Sequence, residues 1–156
     1  GSHATLDIFN TGECKSATGL AISRDLDHWE WQGVVFAPGA TGWDCYCRRL
    51  NSIVPLPAGS AASARYLAFY DGSASHRENY EEKCALAASA DLRRWASRSP
   101  AGPAFTSPHA SGSLRYLDAK FASGGWHLFY EFARSDGSHD LRLITCAAAA
   151  LAALAR

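Results

Sequence analysis

The sequence predicts an all-β protein built from repeated, blade-like units of four strands, and three observations support this prediction. A motif with the pattern S-x-D-L-x-x-W occurs at 23–29 and again at 89–95. Apolar and aromatic runs ending in Phe9, Tyr70 and Tyr130 recur at nearly the same spacing. Clusters of Gly, Pro, Ser and Asp separate these runs, as turns between strands require. A repeat of roughly 60 residues with strand and turn signals is typical of propeller blades and not of a helical solenoid.

Short runs rich in β-branched and aromatic residues mark the individual strands. These predicted strands are 5–9, 18–23, 34–36, 51–56, 65–70, 83–89, 113–121, 126–132 and 141–146. The Ala/Leu-rich segment 147–156 favours helix instead. We treat residues 1–3 (Gly-Ser-His) as a tag scar and 4–146 as about 2.5 blades of a five-bladed propeller, followed by the tail 147–156.

The repeated motif is interpreted as part of the scaffold. Its Ser and Asp side chains are expected to close a turn on their own backbone, and its Trp is expected to pack between neighbouring blades. The spacing resembles that of the Asp-box of sialidases, although the Gly of that motif is absent.

Composition excludes several classes of function. The 156 residues contain 15 Lys plus Arg and 15 Asp plus Glu, so the formal net charge is zero. This balance argues against binding to nucleic acid or to an anionic membrane surface. The 5 cysteines are an odd number, which favours free thiols in a reducing compartment such as the cytoplasm. Cys45 and Cys47 share a strand face without a second pair, so we predict no metal and no other cofactor.

Several motifs together resemble the C-terminal half of five-bladed propellers of the glycoside hydrolase family 43 type. They are Gly42-Trp43-Asp44, Tyr70-Asp71-Gly72, Glu78-Asn79-Tyr80-Glu81-Glu82, Ser111-Gly112-Ser113-Leu114-Arg115-Tyr116 and Asp136-Gly137-Ser138-His139-Asp140-Leu141-Arg142. The resemblance covers nearly all of residues 5–146. It implies an Asp base, a second Asp that orients and tunes, and a Glu acid, each from a different blade facing a central channel.

Three carboxyls are candidates for catalysis, since glycoside hydrolysis needs one protonated and one ionised carboxyl. Asp44 follows Trp43 at a Gly-rich approach to a strand, where a turn or a salt bridge is the alternative reading. Asp71 ends a strand before Gly72, a position where a turn Asp is also common. Glu131 interrupts an aromatic strand, and a buried pair with an arginine is the alternative.

Six further residues are candidates for substrate binding: Trp43, Arg49, Tyr80, Glu82, Arg115 and Asp118. Arg115 and Asp118 are expected on the innermost strand of their blade, where polar groups must face the channel or be paired. We expect Arg49, Arg115 and Asp118 to converge with Asp44, Asp71 and Glu131 on one mouth of the channel, with Trp43 and Tyr80 at its rim for stacking on sugar faces.

Two and a half blades leave open sheet edges at both ends, and such edges favour further pairing. The sequence therefore predicts a homodimer that completes a five-bladed ring through composite blades. Two functional hypotheses stay open: a glycosidase-like protein acting through channel carboxylates, or a non-catalytic propeller that binds carbohydrate or only self-assembles.

Overall fold

The structure, a computed structural model, describes residues 2–4, 15–57 and 64–154. Within them, ten strands form one open sheet. The strands are β1 (Ser2–Ala4), β2 (Ser16–Ile22), β3 (Glu30–Phe36), β4 (Cys47–Pro55), β5 (Tyr66–Ser73), β6 (Lys83–Ser89), β7 (Trp95–Ser97), β8 (Leu114–Ala122), β9 (Gly125–Ala133) and β10 (His139–Ala147). A 3-10 turn spans His76–Glu78, and one short helix, α1, spans Ala150–Ala153. The predicted all-β class is confirmed.

The strands fall into three antiparallel groups. The N-terminal group contains β1 to β3, the central group β4 to β7 and the C-terminal group β8 to β10. Adjacent groups are linked by one parallel bridge each, Ser16 with Cys47 and Lys83 with Leu114. The central group is a four-stranded meander, the unit that the repeat predicts, and β4 and β8 occupy equivalent first positions.

Most predicted strands agree with the observed ones to within a few residues, and 83–89 matches β6 at both ends. The run 5–9 lies outside the described residues. Two strands were not predicted: β7, which has three residues, and β1, which lies in a segment set aside as a tag scar. Strands this short contain too few residues to show an alternating pattern.

Alternation along β5 divides the core into two layers. Phe69 is fully buried against Leu117 and Leu128 of the C-terminal group. The next residue, Tyr70, points the other way and packs edge-on against Phe36 of the N-terminal group, with ring centroids 5.0 Å apart. Each face of the central group therefore contacts a different neighbour, and this alternation decides which side chains can meet at a site.

The repeated motif forms the same turn in both copies. Ser89 Oγ accepts the backbone N–H groups of Asp91 and Leu92 at 3.2 and 2.9 Å. Asp91 Oδ1 accepts two more backbone N–H groups, both at 2.9 Å. The indole of Trp95 donates to the Leu92 carbonyl at 3.1 Å, and the copy at 23–29 makes the equivalent bond at the same distance. These bonds match the predicted closure of the turn by Ser and Asp side chains.

The C-terminal tail is helical where Ala and Leu predict helix. Leu151 of α1 is buried against the core layer between the central and C-terminal groups. No helix in the described ranges is long and apolar enough to cross a membrane. The four described cysteines, Cys45, Cys47, Cys84 and Cys146, carry free thiols.

Candidate functional site

Five charged side chains form a continuous ionic network between the central and C-terminal groups. Arg49 Nη2 lies 3.0 Å from Asp71 Oδ2 and 3.4 Å from Glu82 Oε1. Arg115 Nη1 lies 3.8 Å from Glu82 Oε2, and Arg115 Nη2 lies 3.0 Å from Glu131 Oε2. Charges therefore alternate along the network, and Glu82 joins its two halves.

Strand register explains why these residues meet. Arg49 of β4 stands directly opposite Asp71 of β5, and Arg115 of β8 stands directly opposite Glu131 of β9. Residues paired in this way lie on the same face of a sheet and interact directly. The two pairs are repeat equivalents: the arginines are spaced as the two motif copies are, and the carboxylates as Tyr70 and Tyr130 are. The repeat spacing therefore predicts that the two arginine–carboxylate pairs are equivalent, which the individual motifs do not show.

Tyr116 is the functional neighbour that sequence reasoning did not single out. It sits in a bulge of β8 and has a positive φ of 56°. Its ring lies against both guanidinium groups, 5.1 Å from Arg49 and 4.8 Å from Arg115, at distances typical of cation–π contacts. Its backbone N–H donates to Asp71 Oδ1 at 3.1 Å. A bulged tyrosine with positive φ has no simple sequence signature, because bulky residues rarely adopt it.

Asp71 is fully buried, and all of its contacts are internal. Burial raises the pKa of its carboxyl to about 6, although the adjacent Arg49 and its hydrogen bond act in the opposite direction. The charge of Asp71 in turn raises the pKa of Arg49, against the opposing effect of burial. The buried Asp71 carboxylate therefore links β5 to Arg49 of β4 and to Tyr116 of β8, and it cannot contact a solute.

Glu131 and Asp118 are the accessible carboxylates beside the network, with 35% and 42% of their side-chain surface exposed. Asp118 stands opposite Phe129, two residues before Glu131 on β9. Asp118 and Glu131 therefore lie on adjacent strands, on either side of the bulge between Arg115 and Asp118. Each has a cation beside it: Arg115 for Glu131, and Lys120 at 3.1 Å for Asp118.

Two buried polar atoms in the network lack hydrogen-bond partners. They are Glu82 Oε2, an acceptor, and Arg115 Nη1, a donor, which face one another at 3.8 Å. Buried polar atoms are normally paired. Their 3.8 Å separation pairs the two atoms by charge but lies beyond the reach of a direct hydrogen bond.

Asp44 belongs to a different cluster, on the opposite face of the central group. Its carboxylate is buried and accepts two hydrogen bonds from Arg48, at 2.8 and 2.9 Å, and one from the Tyr70 hydroxyl at 2.7 Å. Trp43 stacks on the Tyr70 ring and donates its indole N–H to the Ser99 carbonyl at 2.8 Å. Because Tyr70 and Asp71 point in opposite directions, the expected convergence of Asp44 and Trp43 with Glu131 is not found.

Tyr80, the other predicted rim residue, lies in the loop between the 3-10 turn and β6 and is 64% exposed. The structure therefore brings together five predicted residues in the ionic network, with Asp118 on the exposed face beside it. It leaves Trp43, Asp44 and Tyr80 outside.

A cavity of about 330 Å³ lies at the far ends of β4 and β8 and is almost entirely apolar. Its walls include Val54, Phe121, Trp126 and Leu151, and none of the described residues that line it is charged. The ionic network lies at the other end of the same strands, near Arg49 and Arg115. The apolar cavity and the ionic network therefore lie at opposite ends of β4 and β8.

Comparison with known proteins gives no match to a protein-family model and none to a curated protein. Solved structures do match. Zg3597, a family 117 glycoside hydrolase of the marine bacterium Zobellia galactanivorans, superposes with a TM-score of 0.59 at 14% identity over 85% of this chain. A structure of BT0996 in an RGII complex gives 0.55 at 15% identity over 83%. A further structure described as a glycoside hydrolase gives 0.56 at 14% identity over 85%.

The matched regions are 38%, 44% and 45% of those three structures, so the chain spans about two fifths of their length. At these identities the likeness shows the fold alone. The all-β, open arrangement is consistent with a propeller-like glycoside hydrolase fold, and the family 43 type is not singled out.

Proposed function

We propose that this chain is a carbohydrate-active, glycosidase-like β-propeller protein whose site lies on the exposed side of the ionic network. The observation that carries the proposal is the position of two accessible carboxylates, Asp118 and Glu131, on one face of adjacent strands. The fold likeness to glycoside hydrolases supports it independently.

Hydrolysis with inversion needs two carboxyl groups about 6.5–9.5 Å apart, so that a water molecule fits between them, and the proposal assigns these two roles to Asp118 and Glu131. One carboxyl gives its proton to the leaving oxygen as the glycosidic bond breaks. The other takes a proton from water as the water oxygen bonds to the anomeric carbon.

The rest of the network positions these groups. Arg115 Nε donates to Glu131 Oε2 at 3.0 Å, Nη2 lies 3.0 Å from the same oxygen, and the two contacts fix the carboxylate. Its Nη1 lies 3.8 Å from the buried Glu82 Oε2, and this ion pair holds the guanidinium in place. The proposal gives Asp44 and Asp71 positioning roles, because both carboxylates are buried and already accept several hydrogen bonds.

In this proposal the three strand groups are blades, and β4 and β8 line a central channel as innermost strands. The five-bladed arrangement of the family 43 type remains a prediction. The described residues supply one four-stranded blade and three strands of each neighbour.

The second candidate function is carbohydrate binding without hydrolysis. It is favoured by the saturation of Asp44 and Asp71, two of the three carboxylates predicted to be catalytic, with hydrogen bonds from the protein itself. Both functions place the sugar beside Arg115, and they differ in whether Asp118 and Glu131 exchange protons with it.

Turnover of a panel of 4-nitrophenyl glycosides of neutral hexoses and pentoses tests the proposal. Glu131→Gln and Asp118→Asn are each expected to lower kcat/KM by about 10²–10⁴-fold, the usual contribution of general acid–base catalysis. Glu30→Gln and Asp27→Asn are matched controls at the N-terminal group, and we expect them to keep wild-type turnover. Wild-type kcat/KM in Glu131→Gln would contradict the proposal, and saturable sugar binding without any turnover would establish the second function.

A further inference from the structure

The chain presents an apolar open face at each end of its row of strand groups. The C-terminal open face is formed by Phe129 of β9 with Leu141 and Leu143 of β10, and the two leucines are 76% and 51% exposed. The N-terminal open face includes Trp29 and Val34, which are 58% and 48% exposed. Contiguous apolar surface of this kind usually marks an interaction site.

The C-terminal open face is the repeat equivalent of a face that is already packed inside the chain. Phe129 directly precedes Tyr130, just as Phe69 directly precedes Tyr70, so the two phenylalanines occupy the same repeat position. Leu143 stands opposite Phe129 just as Leu86 stands opposite Phe69. In the central group this face is buried against the C-terminal group, with Phe69 inaccessible to solvent.

The N-terminal open face is the equivalent of the opposite, also buried, face. Trp29 and Trp95 are the last residues of the two motif copies and therefore correspond. The same spacing relates Gly19 and Ala21 of β2 to Ala85 and Ala87 of β6. Trp95, Ala85 and Ala87 form the layer that packs against the N-terminal group. The two open faces therefore correspond to the two sides of the interface between neighbouring strand groups. That interface occurs twice within the chain, on either face of the central group.

We propose that a second copy of this chain docks head-to-tail, with the C-terminal open face of each copy against the N-terminal open face of the other. Two such contacts close a ring of six strand groups, an alternative to the five-bladed ring that the sequence predicts, and a closed ring satisfies both faces at once. The argument rests on the repeat and on exposed apolar surface, and it does not depend on the proposed function. It differs from the composite blade expected from sequence, because here each strand group stays within one chain and two groups meet face to face.

Light scattering of the purified chain and of face variants tests the proposal. Wild type is expected at twice the 16.8 kDa of one chain. Leu141→Glu and Val34→Glu should each give single chains, because each homodimer then carries a buried charge in both contacts. An equimolar mixture of the two variants should recover dimers, because one of its two contacts is free of the substitutions. Tyr80→Glu, a matched change on an exposed loop residue, should remain dimeric.

A wild-type mass of one chain at all concentrations would overturn the proposal, whether or not any variant folds. So would a dimer that survives Val34→Glu, since that result indicates a contact between two C-terminal open faces. Circular dichroism verifies that each variant keeps its strand content. The mass is measured without sugar, so failure here is distinct from failure of the glycoside assay.

Discussion

Replacing Asp71 by alanine is expected to lower the free energy of unfolding at pH 7 by about 3–5 kcal/mol, the usual cost of removing one partner of a buried ion pair. The substitution leaves Arg49 without its nearest carboxylate and the Tyr116 backbone N–H without an acceptor. It also removes one of the contacts between the central group and β8. Urea denaturation followed by tryptophan fluorescence measures the change.

The double variant Arg49→Met/Asp71→Leu is the informative control. Replacing a buried pair by apolar residues of similar size is often neutral or stabilising, so the double variant should recover at least half of the loss. An Asp71→Ala loss below about 1 kcal/mol, the range of exposed ion pairs, would contradict the account of a buried network.

Stability is also expected to depend on the ionisation of Asp71. Its pKa is about 6 in the folded chain against a reference value of 3.8, so the folded state binds the proton more tightly. The contribution of this group to stability is therefore fully present below about pH 4 and is lost as the pH rises through 6. A shift of this size corresponds to a difference on the order of 3 kcal/mol.

The stability difference between wild type and Asp71→Asn, measured by urea denaturation at a series of pH values, isolates this effect. Other carboxylates titrate in both proteins and cancel in the difference. We expect the advantage of wild type to shrink between pH 4 and 7. An advantage that grows over that interval would mean that Arg49, and not burial, decides the pKa of Asp71.

The fold was largely predictable because the repeat is long and its strands are regular. The motif pair at 23–29 and 89–95 fixed the spacing of equivalent turns, and both copies fold alike. The predicted run 83–89 agrees with β6 at both ends. The three-residue strand β7 was missed because its hydrogen bonds depend on β6 and not on its own sequence pattern.

The residues of the ionic network were predicted as site residues, but their arrangement was not. Arg49, Arg115 and Glu131 were singled out because polar residues on such strands must be paired or face a channel. Their partners depend on strand register. On β5, Tyr70 contacts Asp44 and the next residue, Asp71, belongs to the ionic network, so a shift by one residue would exchange the two faces. The bulge that brings Tyr116 between the two arginines has no sequence signature. The hydrogen bond from the Tyr116 backbone N–H to the Asp71 carboxylate could therefore not be predicted.

The central claim is that carbohydrate binds beside Arg115, and nuclear magnetic resonance of arginine Nε–H groups tests it most directly. Titration with the panel of 4-nitrophenyl glycosides should shift the Arg115 signal saturably, because its Nε–H donates to Glu131 at the edge of the site. The Arg48 signal should not move, since its Nε–H donates to Asp44 on the opposite face of the central group. An Arg115 signal that stays unchanged with every sugar that binds, or an Arg48 signal that shifts instead, would contradict the account.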